Sequence, residues 1–161
     1  GNNNGVVWAN QFDNVANAKG HYEGTGKEIW DQTEGKIDGF VCSSGTGGTI
    51  AGVSNALKEK NKNIKIIGVQ PKDGSRIPGI RRWKKGYLPA IFKNAIVDEI
   101  IDISQDDAER TTLQFAKESG LFCGISSGAN VFISREISNK LENACIVTII
   151  CDRGDRYLSK I

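Results

Sequence analysis

The residue pattern most suited to chemistry is a turn rich in glycine and threonine, Ser44-Gly45-Thr46-Gly47-Gly48-Thr49. An apolar run, residues 37–42, precedes this turn, and an amphipathic run starting at Ile50 follows it. A strand that passes through such a turn into a helix places backbone N–H groups at the positive end of the helix dipole, which suits a phosphate. The three glycines allow close approach of the main chain, and the two threonine hydroxyls add donors. The turn therefore predicts a site for a phosphorylated small molecule.

The spacing of this turn excludes two common nucleotide-binding motifs. A P-loop requires Gly-Lys-Ser/Thr, which does not follow the turn. In the dinucleotide fingerprint, Gly45 and Gly47 fit the first two glycine positions, but the third falls on Ile50. At this point an alternative stays open, namely that the glycines only allow tight packing between a strand and a helix.

Two further polar turns have a similar design. They are Cys123-Gly124-Ile125-Ser126-Ser127-Gly128, which opens a helix, and Asp152-Arg153-Gly154-Asp155, which follows an apolar run. Taken alone, the serines of the first are equally typical of a helix N-cap. In open α/β sheets, ligands bind outside the carboxyl ends of the strands. Three polar turns at such ends predict one shared crevice.

The single histidine and the four cysteines offer little for catalysis or metal binding. His21 lies in a polar stretch and is predicted to be a surface or helix-entry residue rather than a catalytic base. The cysteines form no C-x-x-C pair, so we expect no zinc site from Cys42, Cys123, Cys145 and Cys151. Three of the four lie in or beside apolar runs, where free cysteine behaves as a small hydrophobe. A reduced, cytoplasmic protein is the simplest account.

Composition sets the broad class of protein. The 161 residues are 39% hydrophobic and 25% charged with a net charge of +2, ordinary values for one folded domain. We expect neither a nucleic-acid partner nor a membrane, because this charge is small and no apolar run approaches the roughly 18 residues of a span. The one dense basic cluster is by itself typical of a solvated loop, and consists of Arg81, Arg82, Lys84 and Lys85 around Trp83.

The elements that must position the three turns alternate along the chain. Periodicity predicts helices over residues 24–33, 49–60 and 104–119, the last capped by Ser104, and a further helix that begins at Gly128 and includes Leu141. It predicts strands over residues 37–43, 64–70, 97–103 and 144–151, the last buried on both faces of a parallel sheet. The irregular stretch 72–94 is long for a compact domain, which is typical of a functional loop. The alternation predicts an α/β layered fold.

Several motifs match one family. They are the three turns in this order, Gln11-Phe12, and Thr25-Gly26-x-Glu28-Ile29-Trp30. In these residues the chain resembles the cysteine synthases, fold-type II pyridoxal-phosphate-dependent enzymes that make cysteine from O-acetylserine and sulfide. Similarity to the B subgroup is carried by Ile77-Pro78-Gly79-Ile80-Arg81-Arg82-Trp83 and Ile150-Cys151-Asp152-Arg153-Gly154-Asp155. The resemblance implies a three-layer α/β fold with an open, parallel-rich sheet, like that of the tryptophan synthase β large domain.

The resemblance also implies roles for the matched positions. Residues 45–49 (Gly45, Thr46, Gly47, Gly48 and Thr49) would bind the phosphate of pyridoxal 5′-phosphate, and Ser126 would bond to the pyridine nitrogen. Gln11 and Gly79 would lie near the substrate, and Arg81, together with Arg82, and Cys151 would favour larger anionic sulfur donors such as thiosulfate. A neutral hydroxyl at the ring nitrogen does not enforce its protonation. This suits loss of the α-proton and acetate from O-acetylserine, followed by addition of the sulfur nucleophile.

The chain departs from the family pattern in one respect. The lysine that carries the cofactor and the Ser/Thr-Gly-Asn substrate loop belong to an earlier segment of the family and have no match here. The chain also contains no methionine and opens with Gly1-Asn2-Asn3-Asn4-Gly5. We therefore expect residues 1–161 to be the C-terminal, cofactor-binding domain of a longer, homodimeric enzyme, inactive alone. The alternatives are cystathionine β-synthase, a serine/threonine dehydratase, or a non-catalytic binding domain.

Overall fold

A sheet of parallel strands forms the centre of the molecule, and the computed structural model describes residues 5–84 and 86–159. Within these residues the sheet has the strand order β3-β2-β1-β4. The strands are β1 (Gly39–Ser43), β2 (Lys65–Pro71), β3 (Glu99–Ile103) and β4 (Ile146–Thr148). Val41 of β1 is paired with Ile67 of β2 on one side and with Thr148 of β4 on the other. Because the strands are parallel, their carboxyl ends lie at one edge of the sheet, where the polar turns follow.

Helices precede, connect and follow the strands. The chain begins with α1 (Ala16–Gly20), a π-helix (His21–Gly26) and α2 (Lys27–Gln32), which form one continuous helical segment. The later helices are α3 (Gly48–Lys60), α4 (Gln105–Ser119) and α5 (Ile125–Ser138), with 3-10 turns at Phe92–Asn94 and Gly154–Tyr157. No helix among the described residues is long and apolar enough to cross a membrane.

The apolar side chains of the sheet divide into two cores, one on each face. Phe40 and Cys42 of β1 pack with Val53 and Leu57 of α3. On the opposite face, Val41 packs against the pair of helices formed by α4 and α5. Alternate residues of a strand point to opposite faces of the sheet, so this division follows from the sequence of β1 itself. The three-layer α/β/α fold predicted from the sequence is confirmed.

A close crossing of α4 and α5 explains one glycine of the second polar turn. A Cβ at Gly128 would overlap the carbonyl oxygen of Ala108 and the hydroxyl of Thr112. Both of these residues are fully buried in α4. Gly128 is therefore required by helix packing rather than by its backbone torsion angles.

Three sequence predictions about the elements need correction. The helix expected over residues 24–33 belongs to a longer helical segment that starts at Ala16, because the polar residues of α1 hide its periodicity. The helix expected from Gly128 begins at Ile125 and ends at Ser138, so the serines of the turn lie in its first turn and Leu141 lies beyond it. The strand expected over residues 144–151 is only Ile146–Thr148, and it is half-buried because it lies at the edge of the sheet.

The capping prediction for α4 is confirmed. Ser104 is the N-cap, and its hydroxyl accepts a hydrogen bond from the backbone N–H of Asp107 at 3.1 Å. The carboxylates of Asp106 and Asp107 lie in the first turn, where they favour the helix dipole. Two regions named in the sequence analysis, residues 1–4 of the opening stretch and Lys85 of the basic cluster, lie outside the described residues.

Candidate functional site

The three polar turns meet at one cavity of about 460 Å³ beyond the carboxyl end of β1. Its wall contains residues from each turn, from the segment before α1 and from the loop after β2. They are Gln11, Phe12, Ser43, Gly45, Thr46, Thr49, Gly79, Ile80, Arg81, Ser126, Cys151, Asp152 and Arg156. The structure therefore brings together eight of the eleven residues predicted for the site. The other three, Gly47, Gly48 and Arg82, are not part of the cavity wall.

The glycine- and threonine-rich turn opens α3 with unsatisfied donors. Gly47 is the N-cap residue in the left-handed region, with φ of 90°, and it has no side chain to cap the helix, although the N–H of Gly48 donates to the Thr46 hydroxyl at 3.2 Å. The first amide N–H groups of an α-helix have no acceptor within the helix. A Cβ at Gly47 would lie 2.8 Å from the side chain of Phe92, and one at Gly48 would overlap the side-chain amide of Asn17. Both glycines thus face protein on the side away from the cavity.

The first turn of α5 forms the opposite side of the cavity. Ser126 is 3% exposed and lies beside the loop that carries Gly79. Gly79 has φ of 86°, and a Cβ placed on it would lie 3.6 Å from the hydroxyl oxygen of Ser126. A Cβ on Gly45 would lie 2.7 Å from the carbonyl oxygen of Gly79, so the two turns are in close contact. The N–H of Arg81 donates to the carbonyl of Ser44 at 2.9 Å and fixes this approach.

The two adjacent arginines of the basic cluster have different surroundings. The Arg81 guanidinium lies 5.6 Å from the ring centre of Phe12 and 6.0 Å from that of Trp83, at the cavity wall. Arg82 instead makes a bidentate pair with Asp102 at 2.6 and 3.0 Å, and a further bond to Asp73. The guanidinium of Arg82 therefore ties the loop to β3, and of these two arginines Arg81 is the one that belongs to the cavity wall.

The third turn is held by a half-buried carboxylate, that of Asp152. Asp152 accepts a hydrogen bond from the Tyr157 hydroxyl at 2.6 Å, and its carbonyl accepts the N–H of Gly124 at 2.9 Å. The hydrogen bond to Asp152, with burial and the negative charge of Asp152, raises the pKa of Tyr157 to about 12. The second carboxylate oxygen of Asp152 is buried without a hydrogen-bond partner in the described residues.

The cysteines differ in burial. Cys42 and Cys123 are buried, and burial raises the pKa of each thiol. Cys151 is exposed at the cavity, where its backbone N–H donates to the hydroxyl of Ser127 at 2.9 Å. Of these three thiols, that of Cys151 is the one the cavity wall contains.

Asn130 supports the site from behind, a role that the motifs did not predict. This residue is fully buried in α5, and its side chain accepts the N–H of Ser43 and donates to the carbonyl of Ile149, both at 2.8 Å. It therefore joins the end of β1 to the segment that leads to Cys151. An asparagine among the apolar residues of a predicted helix face was the available signal, since buried polar side chains require partners.

The surface prediction for His21 also needs correction. The residue is half-buried in the π-helix, with its ring nitrogens 3.0 Å from the Thr25 hydroxyl and 3.2 Å from that of Thr49. Burial lowers the pKa of His21, so the imidazole is neutral near pH 7. Single π-helical turns recur at functional sites, and this one contacts the glycine- and threonine-rich turn through His21 and Thr49.

The fold and the cavity are those of pyridoxal-phosphate dependent enzymes, and the model of that family matches residues 1–152. The chain therefore belongs to this family. It is 54% identical over 149 residues to cysteine synthase B of Pseudomonas aeruginosa, covering 92% of this chain and 50% of that protein. It is 52% identical to cysteine synthase B of Escherichia coli, covering 92% of this chain and 49% of the relative.

A solved structure gives the same result. The cysteine synthase of Entamoeba histolytica superimposes with a TM-score of 0.87 at 38% identity, over 98% of this chain and 49% of that one. The chain thus spans about half the length of the relatives it matches. The fold-type II assignment made from the sequence motifs is confirmed.

The hydrogen-bond donors of the cavity wall match the acceptor groups of pyridoxal 5′-phosphate. The uncapped N-terminus of α3 and the hydroxyls of Thr46 and Thr49 are donors of the kind that a phosphate accepts. The hydroxyl of Ser126 offers a neutral partner for a pyridine nitrogen on the opposite wall. The hydroxyl oxygen of Ser43, a residue of the cavity wall, is buried without a partner in the described residues. The wall therefore has a spare hydroxyl group beside the turn where the phosphate would bind.

Proposed function

We propose that this chain forms the cofactor-phosphate side of a cysteine synthase of the B type, which converts O-acetylserine and sulfide to cysteine and acetate, or O-acetylserine and thiosulfate to S-sulfocysteine and acetate. The observation that carries the proposal is the single cavity containing the glycine- and threonine-rich turn, Ser126, Arg81 and Cys151. The identities of 54% and 52% to proteins named cysteine synthase B support it.

The residues of this chain would hold and orient the reactants. The turn at residues 45–49 would bind the phosphate, and Ser126 would bond to the ring nitrogen without enforcing its protonation. Gln11 would lie near the substrate carboxylate. When bound, pyridoxal phosphate supplies the electron sink for loss of the α-proton and acetate from O-acetylserine.

Arg81 would recognise an anionic sulfur donor. Its guanidinium lies over two aromatic rings, and among the described residues it makes no salt bridge. An arginine held in this way keeps its donors available for an oxyanion such as the sulfonate end of thiosulfate. Cys151 lies on the same cavity wall.

We also propose that another domain supplies the lysine that binds the cofactor covalently. No lysine belongs to the cavity wall in the part of the chain that the structure describes. Residues 1–161 would then be the C-terminal cofactor-binding domain of a longer, homodimeric and cytoplasmic enzyme. Without that lysine, the chain would bind the cofactor but would not move the α-proton.

Two assays test the proposal. The enzyme produced from the complete gene should form cysteine from O-acetylserine and sulfide, and should accept thiosulfate. The 161-residue chain should give no product with pyridoxal phosphate and O-acetylserine. Product from the chain alone would contradict the proposed division into domains. A complete enzyme that does not use O-acetylserine would overturn the cysteine synthase assignment.

A further inference from the structure

We propose that Asn17 and His21 are positioning residues that direct the hydroxyl protons of Thr46 and Thr49 toward the cofactor phosphate. This inference rests on the proposed function, because it assigns a role to residues behind the phosphate-binding turn. Both residues lie on the helical segment that packs against the N-terminal half of α3, in α1 and the adjoining π-helix.

The hydrogen bonds of Thr46 fix the direction of its proton. Its hydroxyl oxygen accepts from the side-chain nitrogen of Asn17 at 3.1 Å and from the backbone N–H of Gly48 at 3.2 Å. A hydroxyl oxygen has two lone pairs and one proton. With both lone pairs occupied, the proton of Thr46 is left to donate elsewhere, and the cavity lies beside it.

The orientation of the Asn17 amide follows from a second bond. The nitrogen that faces Thr46 also donates to the backbone carbonyl of Gln11 at 2.8 Å. A carbonyl oxygen only accepts, so this atom of Asn17 must be the nitrogen and not the oxygen. Asn17 therefore acts as a donor to Thr46 and favours an acceptor, such as a phosphate, at the cavity.

A relay through His21 has the same effect on Thr49. The Thr25 hydroxyl lies 3.0 Å from Nδ1 of His21, and the Thr49 hydroxyl lies 3.2 Å from Nε2. When Thr25 donates to Nδ1, Nε2 carries the proton and donates to Thr49. The oxygen of Thr49 is then satisfied while its proton points at an anion. The opposite tautomer would turn a lone pair of Thr49 toward the phosphate, which repels it.

The consequence is a phosphate site made only of donors. The amide N–H groups that follow Gly48 in the first turn of α3 have no acceptor within the helix and are fixed donors. Asn17 and His21 set the hydroxyls of Thr46 and Thr49 to donate as well. Charge-assisted hydrogen bonds to a phosphate are stronger than neutral ones, so each correctly directed hydroxyl contributes to affinity.

The test measures binding of pyridoxine 5′-phosphate and of pyridoxine to the 161-residue chain by isothermal titration calorimetry. Neither probe has an aldehyde, so neither forms an imine with surface lysines. His21→Leu should weaken pyridoxine 5′-phosphate binding about fivefold, and Asn17→Asp about tenfold or more. His21→Gln, which keeps a donor and an acceptor, should stay within about twofold of the wild type.

Matched controls separate this role from general loosening. Tyr22→Phe removes the hydroxyl that bonds Glu59 at 2.6 Å, another contact between the π-helix and α3, and should leave binding unchanged. Asn14→Asp places the same new charge nearby without touching Thr46 and controls for Asn17→Asp. Pyridoxine binding should not change in any variant, because it lacks the phosphate.

Each outcome is decisive. If the wild type does not prefer pyridoxine 5′-phosphate over pyridoxine, the proposed phosphate site itself is wrong. If that preference is present and both His21→Leu and Asn17→Asp retain it, the positioning role is overturned. If His21→Leu does not fold, Thr25→Val tests the relay from its far end, with an expected loss of about threefold and an unchanged value as the contrary result.

Discussion

The backbone nitrogen of Ser43, the last residue of β1, lies 2.8 Å from the side-chain oxygen of Asn130 in α5. The other side-chain atom of Asn130 donates to the carbonyl of Ile149 at 2.8 Å. The backbone pairing of β1 with β4 stops at Thr148. Beyond that point, the side-chain amide of Asn130 connects the two segments in place of backbone hydrogen bonds. The cavity wall at Ser43 and Cys151 depends on this connection.

Asn130→Ala should therefore destabilise the chain. The substitution leaves the buried N–H of Ser43 without a partner, at about 1–3 kcal/mol, and removes the hydrogen bond to the half-buried carbonyl of Ile149, at about 1 kcal/mol. We expect a decrease of about 2–4 kcal/mol in the free energy of unfolding, measured by equilibrium urea denaturation. Asn139→Ala, at the exposed end of α5, is the control and should change it by less than about 0.5 kcal/mol. Equal effects of the two substitutions would contradict this account.

Gly128→Ala should disrupt the crossing of α4 and α5. The added methyl group would overlap the backbone of Ala108, which does not rotate out of the way as a side chain would. Overpacking of this kind costs about 1–3 kcal/mol. Gly20→Ala is a suitable control, because the new Cβ has no heavy atom within 4 Å and alanine favours a helix. Thermal melts should show a lower Tm for Gly128→Ala and an equal or higher Tm for Gly20→Ala.

The layers and the three turns of the fold could be predicted from sequence because they follow from local patterns. The alternation of strands and helices, the Ser104 cap and the polar turns after strands each need only neighbouring residues. The length of β4 could not be predicted in this way, because an apolar run does not record whether a strand has neighbours on both sides.

Of the candidate site, the residues at the cavity wall could be predicted from sequence, and the residues behind the wall could not. Motifs located the residues that touch the cavity, whereas the residues behind it depend on contacts distant in sequence. His21 bonds Thr49 28 positions away, and Asn130 bonds Ser43 87 positions away. The different surroundings of Arg81 and Arg82 likewise depend on Asp102, which a sequence pattern does not pair with either.

Substitutions of Arg81 and Arg82 should have different effects, the first on the use of thiosulfate and the second on the stability of the loop. Arg81→Gln in the enzyme from the complete gene should lower kcat/KM for thiosulfate about tenfold or more, and that for sulfide by less than threefold. Arg82→Gln breaks the bidentate pair with Asp102 and should instead loosen the loop. Limited proteolysis of the loop should then be faster. A selective loss of thiosulfate activity in Arg82→Gln alone would reverse the assignment.

The Tyr157–Asp152 pair should make the chain sensitive to alkaline pH. The hydrogen bond and the charge of Asp152 raise the pKa of Tyr157 to about 12, above its value of about 10 in an unfolded chain. Its contribution to stability is therefore complete below about pH 10 and is lost as the pH rises toward about 12. Between these values the wild type should lose more unfolding free energy than Tyr157→Phe.

Denaturation curves at several pH values, with absorbance at 295 nm to follow tyrosine ionisation, check this expectation. Tyr87→Phe removes an exposed tyrosine and should keep the wild-type pH dependence. Asp152→Asn removes the charge and should bring the ionisation of Tyr157 closer to pH 10, because its largest cause is the bond to Asp152. If Asp152→Asn left the ionisation of Tyr157 unchanged, the pair would not be what holds the third turn.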